Sequence, residues 1–211
     1  MTALPDHDVR HDGDARRPPA GAGVLRESVT ETIRRAMFEE LAESGYARMS
    51  MEAVTRRAGV GKAALYRRWP SKEAMVVELV SEAAAAHIPT TGDSGSLHGD
   101  VERFLRETLS ALRHPLVGRI IPDLLAESAR SASLHEALHL AVLGPRRAAV
   151  ATLLDRAALR GELPPGIDTA LATDLFGAPL YFRVLAAGGP TDDAYVTRLT
   201  HAVVAAVAAS R

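Results

Sequence analysis

The sequence predicts an all-α protein in two parts: an amino-terminal three-helix domain of the helix-turn-helix type and a larger helical domain, about nine helices in all. Two observations indicate this fold class. Apolar residues recur at intervals of three and four along most of the chain, the spacing that gives a helix one buried face. No segment alternates apolar and polar residues with a period of two, so we expect no sheet.

Charge and composition divide the chain into three segments. Residues 1–23 are rich in Asp, Arg, Pro and Gly, lack the apolar core of a signal peptide and predict a disordered tail. Residues 24–72 contain ten Arg or Lys and six Asp or Glu, whereas residues 73–211 contain twelve and sixteen. This division predicts a basic domain that meets a polyanion, and a neutral-to-acidic body that has no reason to meet one.

Two absences from the sequence exclude whole classes of protein. The chain has no cysteine, which rules out disulfides and thiol chemistry. No apolar run approaches the length that crosses a bilayer. We therefore expect a soluble, cytoplasmic protein with no membrane partner.

The central motif lies between Ser50 and Lys72. Ser50 can cap a short helix, and Gly59 can end it because glycine takes the left-handed conformation without a Cβ clash. Gly61 then opens a second short helix, which Pro70 ends. Helix, glycine turn and short helix form the helix-turn-helix arrangement, whose second helix enters the major groove of DNA.

The charges within this motif favour contact with double-stranded DNA. Six basic residues oppose the single acid Glu52, and the chain's two lysines bracket the second helix. Basic and hydroxyl groups contact phosphates, and small residues let a helix approach base edges. A basic solvated face on an ordinary helical hairpin is the alternative. The candidate DNA-binding residues are Ser50, Gly61, Lys62, Ala63, Ala64, Tyr66, Arg67 and Lys72.

These residues resemble the amino-terminal domain of the TetR family of bacterial transcriptional regulators. The resemblance covers roughly residues 33–75, and its most specific part is the Leu-Tyr-x-x-Trp-x-x-Lys run over residues 65–72. It implies a homodimeric repressor that leaves a palindromic operator when its carboxy-terminal domain binds a small effector. Two departures stand out: Gly61 replaces a usual hydroxyl residue, and Ala63-Ala64 replaces a frequent Gly-Thr pair.

The other helices follow from apolar spacing and from glycine and proline breaks. The helix that starts at Ser71 would link the amino-terminal domain of residues 24–72, called the reading head below, to the helical body of residues 73–211. It would therefore transmit a conformational change between the two domains. The predicted helices run from about Leu25 to Ser44, Ser71 to Ala86, Val101 to Leu112, Leu116 to Ala129 with an interruption at Pro122, Leu134 to Arg160 with a bend or break at Gly144-Pro145, Asp168 to Ala187, and Asp192 to Ala209.

The last two predicted helices are apolar on more than one face, so each needs a partner on its second face. In the resembled family these helices pair across a twofold axis, which lets two reading heads match a palindromic site. The alternative is that both are core helices of a monomer. The candidate interface residues are Leu175, Leu180, Val184, Val196, Leu199, Val203 and Val207.

The resemblance also implies an effector cavity among the body helices. Few polar residues converge there by sequence, so we expect a largely apolar small molecule. For each candidate taken alone, a plain core position is the favoured alternative. The candidate lining residues are Phe104, Leu105, Thr108, Leu112, Leu124, Leu138, Val142 and Phe176.

One pentapeptide, His135 to His139, matches the H-E-x-x-H pattern of zinc hydrolases, with Glu136 as the general base. No third histidine follows at a suitable spacing, and a helix rich in alanine, leucine and histidine meets so short a pattern by chance. No nucleotide fingerprint or Ser-His-Asp order occurs elsewhere. We therefore expect no enzyme, no metal site and no cofactor; a zinc hydrolase and a helical adaptor without DNA binding are the alternatives.

Overall fold

The computed structural model describes residues 21–88, 92–164 and 166–210, with side chains described from residue 29 onward. The predicted tail lies outside the described residues as far as residue 20, and the first helix begins at Gly21, ahead of the predicted domain boundary at Val24. Within the described ranges there are ten α-helices, two π-helical segments and no strand, which confirms the all-α prediction.

The helices are short and close to their predicted positions. None of them, within the described part of the chain, is long and apolar enough to cross a membrane. They are α1 (Gly21–Arg48), α2 (Met51–Ala58), α3 (Lys62–Arg68), α4 (Lys72–Ala85), α5 (Leu97–Leu112), α6 (Pro115–Ser128), α7 (Ala132–Leu138), α8 (Gly144–Leu159), α9 (Thr169–Tyr181) and α10 (Asp193–Ala209), with π segments at His139–Leu143 and Phe182–Ala186.

The reading head packs α2 and α3 onto α1 and α4 around one apolar core. Leu65 and Trp69 anchor the second short helix in this core, and Val54 anchors the first. Ile120 and Leu124 of α6 belong to the same core. A body helix therefore completes the packing of the reading head.

The body packs around α5, which is contacted by α8, α9 and α10. Phe104 of α5 and Phe176 of α9 meet edge to face, with ring centroids 5.2 Å apart. This is a favourable geometry for two aromatic rings. The apolar residues of α5, spaced at intervals of three and four, thus form one face that packs against apolar side chains of α9 and α10.

Two helix breaks differ from their predictions. Helix α6 continues through Pro122, where we expected an interruption. Pro122 and Gly118 are both exposed, so water can satisfy the Gly118 carbonyl that the proline leaves without a hydrogen bond. The helix predicted from residue 134 to 160 divides where the bend or break was predicted, since α8 begins at Gly144, but α7 reaches that point through the π segment His139–Leu143, which was not predicted.

Candidate functional site

Caps and one glycine set the geometry of the helix-turn-helix. The Ser50 hydroxyl oxygen accepts a hydrogen bond from the Ala53 N–H at 3.1 Å and so caps α2. Gly59 ends α2 with φ 67° and ψ 27°, the left-handed conformation. The next residue, Val60, packs against the core of the reading head. These contacts fix the angle at which α3 leaves α2.

Helix α3 is anchored by one residue and exposed on the rest of its surface. Leu65 is buried, whereas Lys62, Ala63 and Arg67 are exposed and Tyr66 is 43% exposed. Ahead of it, Gly61 supplies no side-chain cap and has open space where a Cβ would stand. The outward face of α3 therefore combines small residues, a phenol and two cations, as a helix in a major groove requires.

Glu52 of α2 holds two of these side chains in the absence of DNA. Its carboxylate lies 2.9 Å from the Lys62 ammonium and accepts a hydrogen bond from the Tyr66 hydroxyl at 3.3 Å. The hydrogen bond from Lys62 lowers the pKa of Glu52, and Glu52 raises the pKa of Lys62. Sequence reasoning counted Glu52 only as an opposing charge; it also orders the face that would meet a phosphate.

Two of the six basic residues in the motif brace the reading head. Arg57 reaches back to α1 and lies 3.0 Å from the Glu40 carboxylate. Arg68 stacks on Trp69 with its guanidinium carbon 4.5 Å from the ring centroid, and lies 3.3 Å from the Glu78 carboxylate of α4. These two side chains already have partners, so they position helices.

The other cations differ in how much of each side chain is free. Arg56 and Arg67 are exposed and have no hydrogen bond or ion pair with the residues that the structure describes. Lys72 donates to the Tyr46 carbonyl oxygen at 2.7 Å and lies 4.3 Å above the Tyr46 ring. Because an ammonium has three donors, Lys72 can hold the end of α1 and retain one donor for a phosphate.

The last residues of α1, after a kink at Gly45, are tied to the body by Asp123 of α6. The Tyr46 backbone N–H donates to the Asp123 carboxylate at 2.6 Å. Gly45 has φ 74°, and a Cβ built there would lie 2.8 Å from an oxygen of Asp123. The contact joins residues 77 positions apart. No local pattern could have revealed it, because its sequence signal is a lone acid in the middle of a helix.

A cavity of about 290 Å³ lies between the reading head and the body. Its wall comes from α1 and α4 on one side and from the body helices on the other, and most of it is apolar. Pockets of this kind accept small molecules. It is lined by Phe38, Val80, Ala83, Ala84, His87, Ala111, Leu112, His114, Leu116, Val117, Ile120, Ile121, Val142, Arg146 and Tyr181.

Of the eight candidate pocket residues, Leu112 and Val142 line this cavity. Leu124 and Leu138 instead belong to or pack against the core of the reading head. The remaining four are buried in the body without lining the cavity, because helical spacing identifies a buried face and does not separate cavity wall from solid core. They are Phe104, Leu105, Thr108 and Phe176.

The candidate interface residues lie mostly inside the protomer. Leu180, Val196, Val203 and Val207 are buried in its own core, and Leu175, Val184 and Leu199 are half-buried against that core. Helix α5 packs against α9 and α10, so the four fully buried residues leave little surface for a second chain. The large apolar side chains exposed on α9 and just after it are Leu171 and Phe182, 47% and 68% exposed. Sequence reasoning counted Leu171 among the apolar residues of this helix and missed Phe182.

The two histidines of the H-E-x-x-H match lie on the last turn of α7 and at the start of the π segment. Their rings are 6.1 Å apart between centroids, and the His139 Nε2 atom is 3.1 Å from the guanidinium of Arg147. Within the described residues no group of three or more His, Cys, Asp or Glu side chains is placed to hold a metal ion. The arrangement therefore gives no support to the zinc hydrolase alternative.

Two family models match the chain. The model described as "Tetracyclin repressor-like, C-terminal domain" matches residues 91–203, and that described as "Bacterial regulatory proteins, tetR family" matches residues 33–79. The chain is 30% identical over 181 residues to the "DNA-binding transcriptional repressor TetR" of Mycobacteroides abscessus, covering 84% of this chain and 93% of that relative. It is 27% identical over 173 residues to the uncharacterized HTH-type transcriptional regulator YdeS of Bacillus subtilis, covering 82% and 86%.

Solved structures agree with the families. The TetR family transcription regulator SCO0332 superposes with a TM-score of 0.66 at 29% identity, covering 85% of this chain and 98% of that one. GusR of Salmonella enterica superposes with a TM-score of 0.71 at 21% identity, covering 85% and 95%, and supports the fold alone. These families and relatives regulate transcription and are not enzymes. This chain belongs to the TetR family of bacterial transcriptional regulators and carries the DNA-binding domain of that family.

Proposed function

We propose that this regulator is a homodimeric repressor that binds a palindromic operator in the bacterial cytoplasm and leaves it when a small molecule occupies the cavity. The observation that carries the proposal is the outward face of α3, where Lys62, Tyr66 and Arg67 surround small residues. Lys62 and Tyr66 pair with Glu52 of α2, and the Arg67 side chain has no hydrogen bond or ion pair with a described residue. The repressor role is also that of the relative from Mycobacteroides abscessus, by its name.

The roles of the reading-head residues follow from their positions. Ala63 and Ala64 allow α3 to approach base edges, and Tyr66 and Arg67 reach the groove wall or a phosphate. The hydroxyl of Ser50 stands at the amino-terminal end of α2, whose free amides and dipole favour an anion. Lys72 completes the phosphate contacts from the start of α4. Gly61 contributes space and no side-chain contact.

The dimer would form through the outer faces of α9 and α10. Leu171 and Phe182 expose apolar surface, and α10 adds a line of exposed alanines at Ala202, Ala205 and Ala209. Exposed apolar surface on two adjacent helices is suited to a self-complementary interface. This face differs from the one that periodicity favoured, four of whose residues are buried in the core of the protomer.

Light scattering on the purified protein tests the dimer. We expect the mass of two chains for the wild type, and the mass of one chain for the double variant Leu171→Glu and Phe182→Glu. The matched control is Leu125→Glu, which places the same charge on an exposed leucine of α6. A wild type that is monomeric at micromolar concentration, or a double variant that stays dimeric, would contradict this interface.

The switch would work through α4 and α6, which line the cavity and also pack in the core of the reading head. Val80, Ala83 and Ala84 of α4 and Ile120 of α6 line the cavity. A molecule that fits better when α4 is tilted would change the separation of the two heads and so reduce operator affinity. The apolar wall favours a largely apolar effector.

DNA binding itself is tested on the region immediately upstream of the coding sequence, with salt titration and unrelated DNA as competitor. We expect tight, competitor-resistant binding by the wild type. Tyr66→Ala should lose about tenfold or more in operator affinity and keep its affinity for unrelated DNA. Tyr66→Phe is the matched control, because it keeps the ring and removes the hydroxyl. Unchanged affinity in both variants would remove Tyr66 from the interface.

A further inference from the structure

The polar groups that border the cavity include basic side chains and no acidic ones among the described residues. Among the described lining residues, the polar side chains are those of His87, His114, Arg146 and Tyr181, and none of the lining residues is an Asp or a Glu. Three of these four can carry positive charge. The wall is otherwise aliphatic or aromatic. A cavity of this composition is complementary to a molecule that is apolar over most of its surface and negative at one end.

Arg146 is the strongest of these groups. It is half-buried and has no hydrogen bond or ion pair with any residue that the structure describes. A guanidinium remains charged at every physiological pH, and a charge beside apolar surface is costly unless an anion pairs with it. Its planar fork matches the two oxygens of a carboxylate. The cavity therefore presents a cation without a protein counter-ion.

The two histidines have defined hydrogen-bonding roles. The His114 Nδ1 atom accepts the Leu116 N–H at 3.3 Å, so in the neutral ring the hydrogen is on Nε2, which is a donor. The His87 Nδ1 atom is 2.8 Å from the Ala83 carbonyl oxygen, which only accepts, so His87 donates through Nδ1 and its Nε2 is not bonded to a described residue. Each ring thus has one nitrogen available to a ligand.

The π segment His139–Leu143 explains how Arg146 reaches the cavity. The Ser81 hydroxyl of α4 donates to the Ala141 carbonyl oxygen at 3.2 Å and so holds this segment against α4. A π turn contains one residue more than an α turn, so it rotates every later side chain of the helix by about 100°. Val142 and Arg146 line the cavity in this register.

We propose that the effector is an apolar carboxylic acid in its anionic form, with its carboxylate on the guanidinium of Arg146 and its aliphatic or aromatic body against α4 and α6. This inference rests on the proposed function in one respect, that the cavity is the effector site. His114 supplies a neutral donor to the same head group. The size of the cavity restricts the effector to a small molecule, such as a medium-chain or bicyclic acid.

Calorimetric titration of the full-length protein tests the proposal. The probes are decanoate paired with decanol, and naphthalene-1-carboxylate paired with naphthalene-1-carboxamide. We expect at least one carboxylate to bind about tenfold or more tightly than its neutral counterpart. In Arg146→Gln the two members of that pair should bind within about twofold of each other, while Arg146→Lys should keep part of the preference.

Arg147→Gln is the matched control, because Arg147 is the adjacent arginine, contacts His139 and does not line the cavity. It should keep the full preference for the acid. Binding of the neutral compound to Arg146→Gln would show that this variant is folded. The proposal is overturned if neither carboxylate binds, if neutral compounds bind as tightly as acids, or if the Arg147 variant loses the preference to the same extent.

The outcome is separable from the proposed function. A protein that binds its operator and shows no preference for acids contradicts the ligand class alone. A protein that prefers acids through Arg146 and binds no operator contradicts the repressor role and leaves the ligand class standing.

Discussion

The Asp123 carboxylate accepts a hydrogen bond from the Tyr46 backbone N–H at 2.6 Å. Asp123 lies on α6, a cavity-lining helix, and Tyr46 lies in the turn of α1 that follows the kink at Gly45 in the reading head. The same turn is held from the other side by the Lys72 ammonium. A displacement of α6 by a bound molecule therefore acts directly on the reading head, in addition to its effect through α4.

Replacing Asp123 separates this contact from general stability. Asp123→Ala leaves the Tyr46 N–H without its acceptor and should lower the free energy of unfolding by about 1–3 kcal/mol. Asp123→Asn keeps an acceptor oxygen and should cost less than half as much. Urea denaturation measures both values. Equal stability of the alanine variant and the wild type would show that the hydrogen bond does not hold the two domains together.

Two glycines with positive φ should differ in the cost of adding a methyl group. The methyl group of Gly59→Ala would lie in open space, so this variant should lower the free energy of unfolding only by the strain of a left-handed alanine, about 1 kcal/mol. Gly45→Ala pays this cost and also displaces Asp123, because its Cβ would lie 2.8 Å from the carboxylate. We expect the second variant to be the less stable one. In the Asp123→Ala background the two glycine variants should cost nearly the same; a persistent difference would argue against the steric explanation.

Arg67 and Arg57 form a matched pair for the DNA-binding face. Arg67 has no partner among the described residues, so Arg67→Ala should reduce the dependence of log affinity on log salt by about 0.9, the value for one phosphate, and leave stability unchanged. Arg57 is bound to Glu40 and Glu43 of α1. Arg57→Ala should lower the free energy of unfolding and leave the salt slope unchanged. If Arg57→Ala changed the salt slope and Arg67→Ala changed only the free energy of unfolding, Arg57 would be the phosphate contact and Arg67 the structural residue.

The buried Asp100 predicts how stability depends on pH. Burial acts to raise the pKa of this carboxyl, but hydrogen bonds from Ser94 and Arg103 outweigh burial and lower the pKa below its ordinary value of 3.8. A lowered pKa contributes stability that is fully present above 3.8 and is lost as the pH falls toward the pKa of the folded state. Asp100→Asn should therefore lower the free energy of unfolding by about 2 kcal/mol near neutral pH. The difference between variant and wild type should become progressively smaller below pH 3.8. A difference between the two proteins that does not change between pH 7 and pH 3 would contradict this assignment.

The reading head was predictable because its determinants are local. A hydroxyl at Ser50, a left-handed glycine at Gly59 and a proline after the second short helix each act within four residues of where they stand. The buried anchor Leu65 follows from helical spacing. The sequence could not reveal that α6 completes this core, because that contact depends on how two distant helices cross.

The cavity and the proposed dimer face were less predictable for a physical reason. Periodicity reports which side of a helix is apolar, and an apolar side can face solid core, a cavity or a second chain. Phe176 and Leu180 were assigned to a cavity and an interface, and both are buried in the core of the body. Phe182 follows them within a π segment, where the α-helical period no longer applies.

The most direct test of the account is the affinity of the purified protein for its operator as the spacing between half-sites is changed. Two identical heads held by one dimer should bind two half-sites one helical turn apart. Inserting about five base pairs between them places them on opposite faces of the duplex and should reduce the affinity to that of a single half-site, and inserting about ten should restore part of it. An affinity that does not depend on the spacing would contradict a rigid dimer that reads a palindrome.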